Sequence, residues 1–340
     1  MIQSRDTESI AAELTRQGVE SAYALIKSKI KKTPVLTSES ISAIATGNDN
    51  PPTRLFFKCE NFQKGGSFKI RGATHALENL RPEELENGVI THSSGNHAQA
   101  LAIAARAKGV KAYIVMPSNS ARPKVEATRS YGGNVTFSGP TAPEREYVAE
   151  TIRTKTNAHF IPPYDHPHII LGQGTVLREL ISQADVEYGC KLDAVIVPVG
   201  GGGLLAGCAL AAHGTGVRVF AAEPALADDC FRGIEIGIRE PNVTSSTVAD
   251  GLRTPVGVIN FPIIQKYVEK VFTVSDEEIL AAMRLVWERI KIVIEPSGAV
   301  ALAVALSERW KIEGVKGNIG IIFSGGNVDL DKISDLIKMS

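Results

Sequence analysis

Ala194-Val-Ile-Val-Pro-Val-Gly-Gly-Gly-Gly-Leu-Leu-Ala-Gly-Cys-Ala-Leu-Ala-Ala-His-Gly-Thr-Gly-Val217 is 24 residues without a formal charge. That length could cross a bilayer, but Pro198 and the run Gly200 to Gly203 would leave backbone groups unsatisfied in lipid. The stretch reads instead as a buried strand over Ala194–Val199, a glycine turn, a helix from Leu204 and a further strand over Val217–Ala222. A turn with positive φ needs only one or two glycines. Four at the start of a helix let backbone N–H groups close on a phosphate, with the helix N-terminus behind them. Gly201, Gly203 and Ala206 also fit G-x-G-x-x-[GA], with Glu223 22 residues on. That is the dinucleotide fingerprint, so an NAD-dependent dehydrogenase is an open alternative. No G-x-x-x-x-G-K-[ST] occurs, which argues against a P-loop enzyme.

Outward from this unit the same grammar repeats. Strands are expected at 55–59, 88–91, 111–116, 134–138, 159–162 and 319–323. Helices are expected at 96–108, closed by Gly109, and at 123–131 and 144–156. A leading helix carries Val19, Ala22, Tyr23, Ile26 and Ile30 on one face, with Pro34 stopping it, and a loop spans Gly47 to Pro52. Ser275 and Glu278 form a capping box ahead of Ile279, Ala282, Met283, Val286 and Ile290. Alternation at this spacing implies an α/β fold with mainly parallel sheets covered by helices. A length of 340 residues suggests about two domains, and no low-complexity linker divides them.

Composition narrows the partners. Lys plus Arg and Asp plus Glu are 37 each, so no bulk field draws the chain to nucleic acid or an anionic membrane. Cys59, Cys190, Cys208 and Cys230 are scattered without C-x-x-C or finger spacing, which argues against a disulfide framework or structural zinc. MIQSRDTESI shows no targeting pattern, so a cytoplasmic location is the expectation.

Ligands of parallel sheets gather at the carboxyl ends of strands, so the loops there are read together. Lys69, between Phe68 and Ile70 and just after two glycines, is either a desolvated Schiff-base nucleophile or a lysine snorkelling from a helix. Thr91-His-Ser-Ser-Gly-Asn-His is a strand-to-helix turn that either binds a carboxylate through its N–H groups or supplies an ordinary N-cap. In Phe323-Ser-Gly-Gly-Asn the hydroxyl of Ser324 could face a ring nitrogen. His92, His213 and the Tyr164-Asp165-His166-Pro167-His168 run are read as ordinary polar sequence, not as metal ligands.

Together these segments resemble the fold type II pyridoxal phosphate enzymes, and within them the serine racemase and serine/threonine dehydratase group. The likeness runs through T-P-V-L-T-S (33–38), F-F-K-C-E-N-F-Q-K (56–64), G-S-F-K-I-R-G (66–72), H-S-S-G-N-H-A-Q-A (92–100), G-Q-G-T (172–175), P-V-G-G-G-G-L-L-A-G (198–207), A-E-P (222–224), A-D-G (249–251), E-P-S-G (295–298) and S-G-G-N-V-D-L (324–330). It implies two open twisted, mainly parallel sheets (tryptophan synthase β-like). The large domain would be formed by 1–83 and 164–340, with a small domain, 84–163, inserted. It assigns Lys69 to the Schiff-base linkage with pyridoxal 5′-phosphate, Gly200, Gly201, Gly202 and Gly203 to the phosphate, Phe68 to stacking, Asn96 to the 3′-oxygen and Ser324 to the pyridine nitrogen. Ser93, Ser94, Gly95, Asn96 and His97 would receive the substrate carboxylate, while Arg145, Tyr164 and Thr254 would shape the side-chain pocket.

The likeness implies α-proton removal by Lys69. Either reprotonation by Ser94 would follow, or loss of the β-hydroxyl to give a keto acid and ammonia. Racemases of the group place Asn where Tyr164 stands and Ser where Thr254 stands. The likeness to racemases makes L-serine the expected substrate, while these two departures, and Arg145, which could pair with a distal carboxylate, keep L-threo-3-hydroxyaspartate and L-threonine as alternatives. Glu223, the carbonyl of Ala227 and Asp229 match the group's site for Mg²⁺, Ca²⁺ or Mn²⁺, an oxygen-only set suited to a hard cation. The group also suggests a homodimer, and ATP activation at an interface around Gln99 and Lys124.

Overall fold

The computed structural model describes residues 13–46, 52–241 and 246–332. The expected N-terminal stretch and most of the Gly47–Pro52 loop lie outside them. Among the described residues ten strands run in chain order: β1 (Val35–Thr37), β2 (Arg54–Cys59), β3 (Val89–His92), β4 (Ala112–Pro117), β5 (Gly133–Ser138), β6 (His159–Phe160), β7 (Ala194–Pro198), β8 (Arg218–Pro224), β9 (Lys270–Val274) and β10 (Asn318–Phe323). They form a six-stranded sheet of order β1-β2-β10-β7-β8-β9 and a four-stranded sheet of order β5-β4-β3-β6. Only β1 is antiparallel to its neighbour. All four strands of the smaller sheet fall in the chain between β2 and β7.

Strand order brings the site together. β10 lies between β2 and β7, with Phe323 opposite Cys59 and Ile321 opposite Ile196. Phe56, Phe57, Val195, Ile196, Phe220 and Ile321 are fully buried, as strands covered on both faces require. The segments leaving the carboxyl ends of β2, β7 and β10 therefore converge, although they are far apart in sequence.

The helix Asn96–Lys108 has the expected bounds, closed by left-handed Gly109, and Ser275 and Glu278 make the reciprocal capping box. The leading helix is shorter than its apolar spacing suggests. It spans Arg16–Ile26, and Ile30 reaches the core from the turn that follows. The 22-residue helix Pro167–Tyr188 has no counterpart in the expected elements, because Ile169, Ile170, Leu171, Val176, Leu177 and Leu180 are buried around its circumference and erase the amphipathic period. The helix Pro296–Leu306 is hidden in the same way.

Glycines let the Pro167–Tyr188 helix touch two others. A Cβ on Gly172 would lie 2.7 Å from the Cα of Gly72, and one on Gly174 would lie 2.5 Å from the Gly207 carbonyl. Gly72 belongs to the helix Lys69–Glu78 and Gly207 to the helix Gly203–Ala212. One long helix thus clamps the two helices that begin at the candidate site.

A buried ionic cluster fixes the first of these. Arg71 binds Glu60 through Nε at 2.7 Å and Nη2 at 2.8 Å, and Nη2 also reaches Glu179 at 2.8 Å. Lys58 donates to Glu179 at 2.8 Å, Gln183 at 2.7 Å and the Thr33 carbonyl at 2.9 Å. Burial pushes the Lys58 amine down, while Glu60 and Glu179 oppose that shift. Two cations and two carboxylates balance, and losing one partner leaves an uncompensated charge. Glu179→Ala is expected to cost about 3–5 kcal/mol, read as a lower midpoint in urea unfolding; an unchanged midpoint would contradict it.

Candidate active site

A cavity of about 700 Å³ opens where the two sheets meet, within the roughly 300–1,000 Å³ usual for small-molecule sites. Phe68, Lys69, the Ser93–His97 loop, Arg145, Tyr164, Gly200–Gly203, Thr254 and Ser324 all line it. Glu223, Ala227 and Asp229 do not border this cavity.

Lys69 is the first residue of its helix, and it is half-buried in the cavity wall. Nζ donates to the Pro163 carbonyl at 2.8 Å and lies 5.2 Å from the Phe68 ring centroid. Desolvation without an acidic partner lowers it to about 8. The amine is held inside the cavity, so it is not snorkelling from a surface helix.

The glycine turn leaves β7 with Gly202 at φ 87°, immediately before the helix Gly203–Ala212. A Cβ on Gly200 would meet the Leu252 backbone at 2.8 Å, and one on Gly201 would meet the Tyr164 ring at 2.4 Å. Only glycine fits under these neighbours, and the helix N-terminus faces the space beyond, as a phosphate needs. Tyr164 rests its ring on Gly201, so this side chain sits at the glycine turn itself.

On the facing loop the helix begins at Asn96 after Gly95, with no side-chain cap. This removes the N-cap reading, since the hydroxyls of Ser93 and Ser94 do not cap that helix, and Ser94 borders the cavity. The His97 ring is buried, with Nε2 3.2 Å from the Ile161 carbonyl. Burial and the nearby Lys69 push it down to about 3, so it is a neutral support under the loop. Asn96 donates to Glu295 at 2.7 Å and accepts from Asn327 at 2.8 Å. Ser324 is buried and donates to the Ser297 carbonyl at 3.3 Å.

Glu295, Asn327 and Asp250 had no role in the sequence reading, although each sits in a motif that carried the resemblance. Burial, reinforced by the charge of Asp250, pushes Glu295 up to about 7. Lys124 pairs with Asp250 on the cavity wall, and Gln99 is buried in the helix Asn96–Lys108. His92, read as ordinary, lines the cavity and stacks on Phe160 at 5.4 Å. His166 accepts from the His168 backbone as the N-cap of the helix Pro167–Tyr188.

Glu223 lies at the end of β8, but its carboxylate accepts the backbone N–H groups of Cys230 at 2.9 Å and Phe231 at 2.8 Å. It is buried there and cannot hold a ribose over the glycine turn. Asp229 accepts from Val256 N–H at 2.8 Å. Burial pushes both carboxyls up, Asp229 to about 6, and neither has an ion-pair partner among the described residues. Among the described residues no group of three or more His, Cys, Asp or Glu converges on a metal. The expected set of two carboxylates and a carbonyl is smaller than such a cluster. A hard divalent cation fits it chemically, because it would neutralise two buried acids.

The matched family model is that of the pyridoxal-phosphate dependent enzymes, over residues 26–325. The chain belongs to this family. Serine racemase of Dictyostelium discoideum is 43% identical over 331 residues, spanning 96% of this chain and 99% of its own. Its crystal structure has a TM-score of 0.86, at 44% identity, covering 94% of this chain and 100% of that one. The structure of maize serine racemase gives a TM-score of 0.87 at 41% identity, covering 95% and 97%. A threonine deaminase from T.th. gives 0.85 at 40% identity, covering 92% and 98%. For a pyridoxal-phosphate dependent enzyme the phosphate turn need not be a dinucleotide site, and with Glu223 turned away the dehydrogenase reading falls. The residues fit the cofactor: a glycine cradle for its phosphate, a cavity-facing lysine amine for its aldehyde and a buried serine hydroxyl for its ring. No helix among the described residues is long and apolar enough to cross a membrane.

Proposed function

We propose that this pyridoxal phosphate-dependent enzyme is a serine racemase that also dehydrates L-serine, and that the smaller sheet belongs to an inserted unit, residues 84–163. The observation that supports this reading best is the meeting of Lys69 and Ser94, from different walls, in one cavity floored by the glycine turn. When bound, pyridoxal phosphate supplies the electron sink that acidifies the α C–H of an amino acid. Gly200–Gly203 would hold its phosphate, Lys69 its aldehyde carbon, Phe68 its ring face, Asn96 its 3′-oxygen and Ser324 its nitrogen.

The Ser93–His97 loop receives the substrate carboxylate through its backbone N–H groups. Lys69, with its amine lowered toward neutrality, takes the α-proton at Nζ. Ser94 Oγ, from the other wall, gives a proton back and inverts the centre. When the β-hydroxyl leaves first, water replaces ammonia, and L-serine ends as pyruvate plus ammonia. Ser324 would present a hydroxyl, in place of a carboxylate, to the ring nitrogen, which would leave that nitrogen largely unprotonated and weaken the electron sink the cofactor supplies.

We further propose Mg²⁺ at Glu223, Ala227 and Asp229, a cytoplasmic homodimer, and ATP as an activator. The first is supported by the two unpaired buried acids. The homodimer and the ATP activation are carried over from likeness to the racemase group. One experiment tests the activity, the metal, the activator and the assembly. The purified yellow protein is given L-serine with Mg²⁺ or with EDTA, with and without ATP, and D-serine and pyruvate are scored separately, with mass in solution measured alongside. D-serine and pyruvate together, both reduced by EDTA, are expected. A protein that stays colourless with pyridoxal phosphate would overturn the main reading.

A further inference from the structure

A glycine turn takes a phosphate through its N–H groups, so these, and not its carbonyls, must face the cavity. In a trans peptide the two point opposite ways, and whatever holds a carbonyl also aims the N–H that follows it. Two donors hold the carbonyl of Gly201: the Gly257 N–H at 3.1 Å and the Asn260 amide, Nδ2, at 2.6 Å. Among the described residues the N–H of Gly202 donates to nothing, and Gly202 lies on the cavity wall.

Asn260 is fully buried, and its Oδ1 has no hydrogen-bond partner. An amide buried with one end unsatisfied costs stability that an apolar side chain of the same size would not, so the single bond this side chain makes, to Gly201, is what the position provides. Asp165 sets it in place. Its carboxylate accepts the backbone N–H groups of Val258 at 2.9 Å, Ile259 at 2.9 Å and Asn260 at 3.3 Å, where the helix Asn260–Tyr267 begins. A Cβ on Gly257 would collide with that carboxylate, so glycine there lets the two segments meet. Asp165 belongs to the Tyr164–His168 run that reads as ordinary polar sequence, and Asn260 lies outside every motif of the resemblance.

We propose that Asn260, held by Asp165, is a positioning residue for the cofactor phosphate: it draws the Gly201 carbonyl back from the cavity and thereby turns the Gly202 N–H toward the phosphate. This rests on the reading that pyridoxal phosphate places its phosphate at Gly200–Gly203. Without the Asn260 amide, the Gly257 N–H alone retains the carbonyl. The peptide between Gly201 and Gly202 has glycine on both sides, so it is free to turn and present its oxygen instead. An oxygen repels the anion that an N–H would bind. The effect falls on the phosphate, while Lys69 and the wall around the ring keep their places.

The test compares wild type with Asn260→Leu, which keeps the volume and loses the donor, and with Asp165→Asn, which keeps one acceptor and loses the charge. Full-length apo-protein of each is titrated with pyridoxal phosphate and with pyridoxal, which carries the aldehyde and the ring without the phosphate, and binding is read from the visible absorbance. The ratio of the two affinities isolates the phosphate from the rest of the cofactor. Asn260→Leu is expected to lower that ratio about 10- to 100-fold, the worth of one charge-assisted hydrogen bond. Pyridoxal binding should stay within a few-fold of wild type, and Asp165→Asn should fall between. Weakening of both ligands together, as a merely structural role would give, or an unmoved ratio, overturns the inference; where Asn260→Leu does not fold, Asp165→Asn decides on the same readout. A wild type that binds pyridoxal as tightly as pyridoxal phosphate overturns the phosphate reading itself, whereas a wild-type preference that both variants retain overturns the inference alone.

Discussion

Lys69→Ala is expected to give a folded, colourless protein whose turnover of L-serine falls by at least about 10³-fold, because nucleophile and proton acceptor are lost in one side chain. Among the described residues no other lysine is placed to substitute. Lys124 is the other lysine on the cavity wall, and it is held by Asp250. Folding should survive, since the amine's hydrogen bond is to the Pro163 carbonyl, while the helix itself is anchored two residues on by Arg71. The measurement is borohydride reduction of the wild type followed by peptide mapping, alongside absorbance and turnover of the variant. Cofactor attached elsewhere than Lys69, or a yellow and active variant, removes the central assignment. The neutral amine is the attacking form and its group sits at about 8. Uptake of pyridoxal phosphate by the apo-protein should therefore quicken as pH rises through about 8 and then level off.

Ser94→Ala has the second largest expected effect. Racemisation of L-serine should drop by about 10²- to 10⁴-fold, the range for loss of a general acid, while pyruvate formation stays within a few-fold. Ser94 borders the cavity, makes no capping bond to the helix Asn96–Lys108, and its truncation leaves the loop's backbone N–H groups in place. Lys69, which both outcomes share, is untouched. D-serine and pyruvate are counted in the same reaction, so a general loss of cofactor or fold lowers both together. Equal falls in the two products would assign Ser94 to positioning and leave inversion without its second proton source.

Much of the site was legible because each piece is a local signal. The Gly200–Gly203 turn after an apolar run, the lysine after paired glycines and the Ser-Ser-Gly-Asn loop are all written within a dozen residues. What failed to show was written nowhere locally. The helix Pro167–Tyr188 is apolar all round, so its period vanished, and its Gly172 and Gly174 have meaning only against Gly72 and Gly207. Glu295 lies about 200 residues from Asn96 in the chain, and its raised proton affinity comes from burial that no sequence window reports. Tyr164 lines the cavity with its ring on Gly201, a contact between residues 37 apart in the chain that no sequence window shows.

By itself the sequence determined the alternation of strands and helices, the phosphate turn, the candidate nucleophile and, through its motifs, the enzyme family. These follow from short-range rules of backbone conformation and periodicity. Only the tertiary structure decided that β10 inserts between β2 and β7, that Lys69, Ser94, Gly200–Gly203 and Ser324 share one cavity, and that Asn260 reaches the Gly201 carbonyl. The reason is that pairing of strands distant in the chain, and the burial that shifts Lys69 and Glu295, are properties of the assembled sheets and of no segment taken alone.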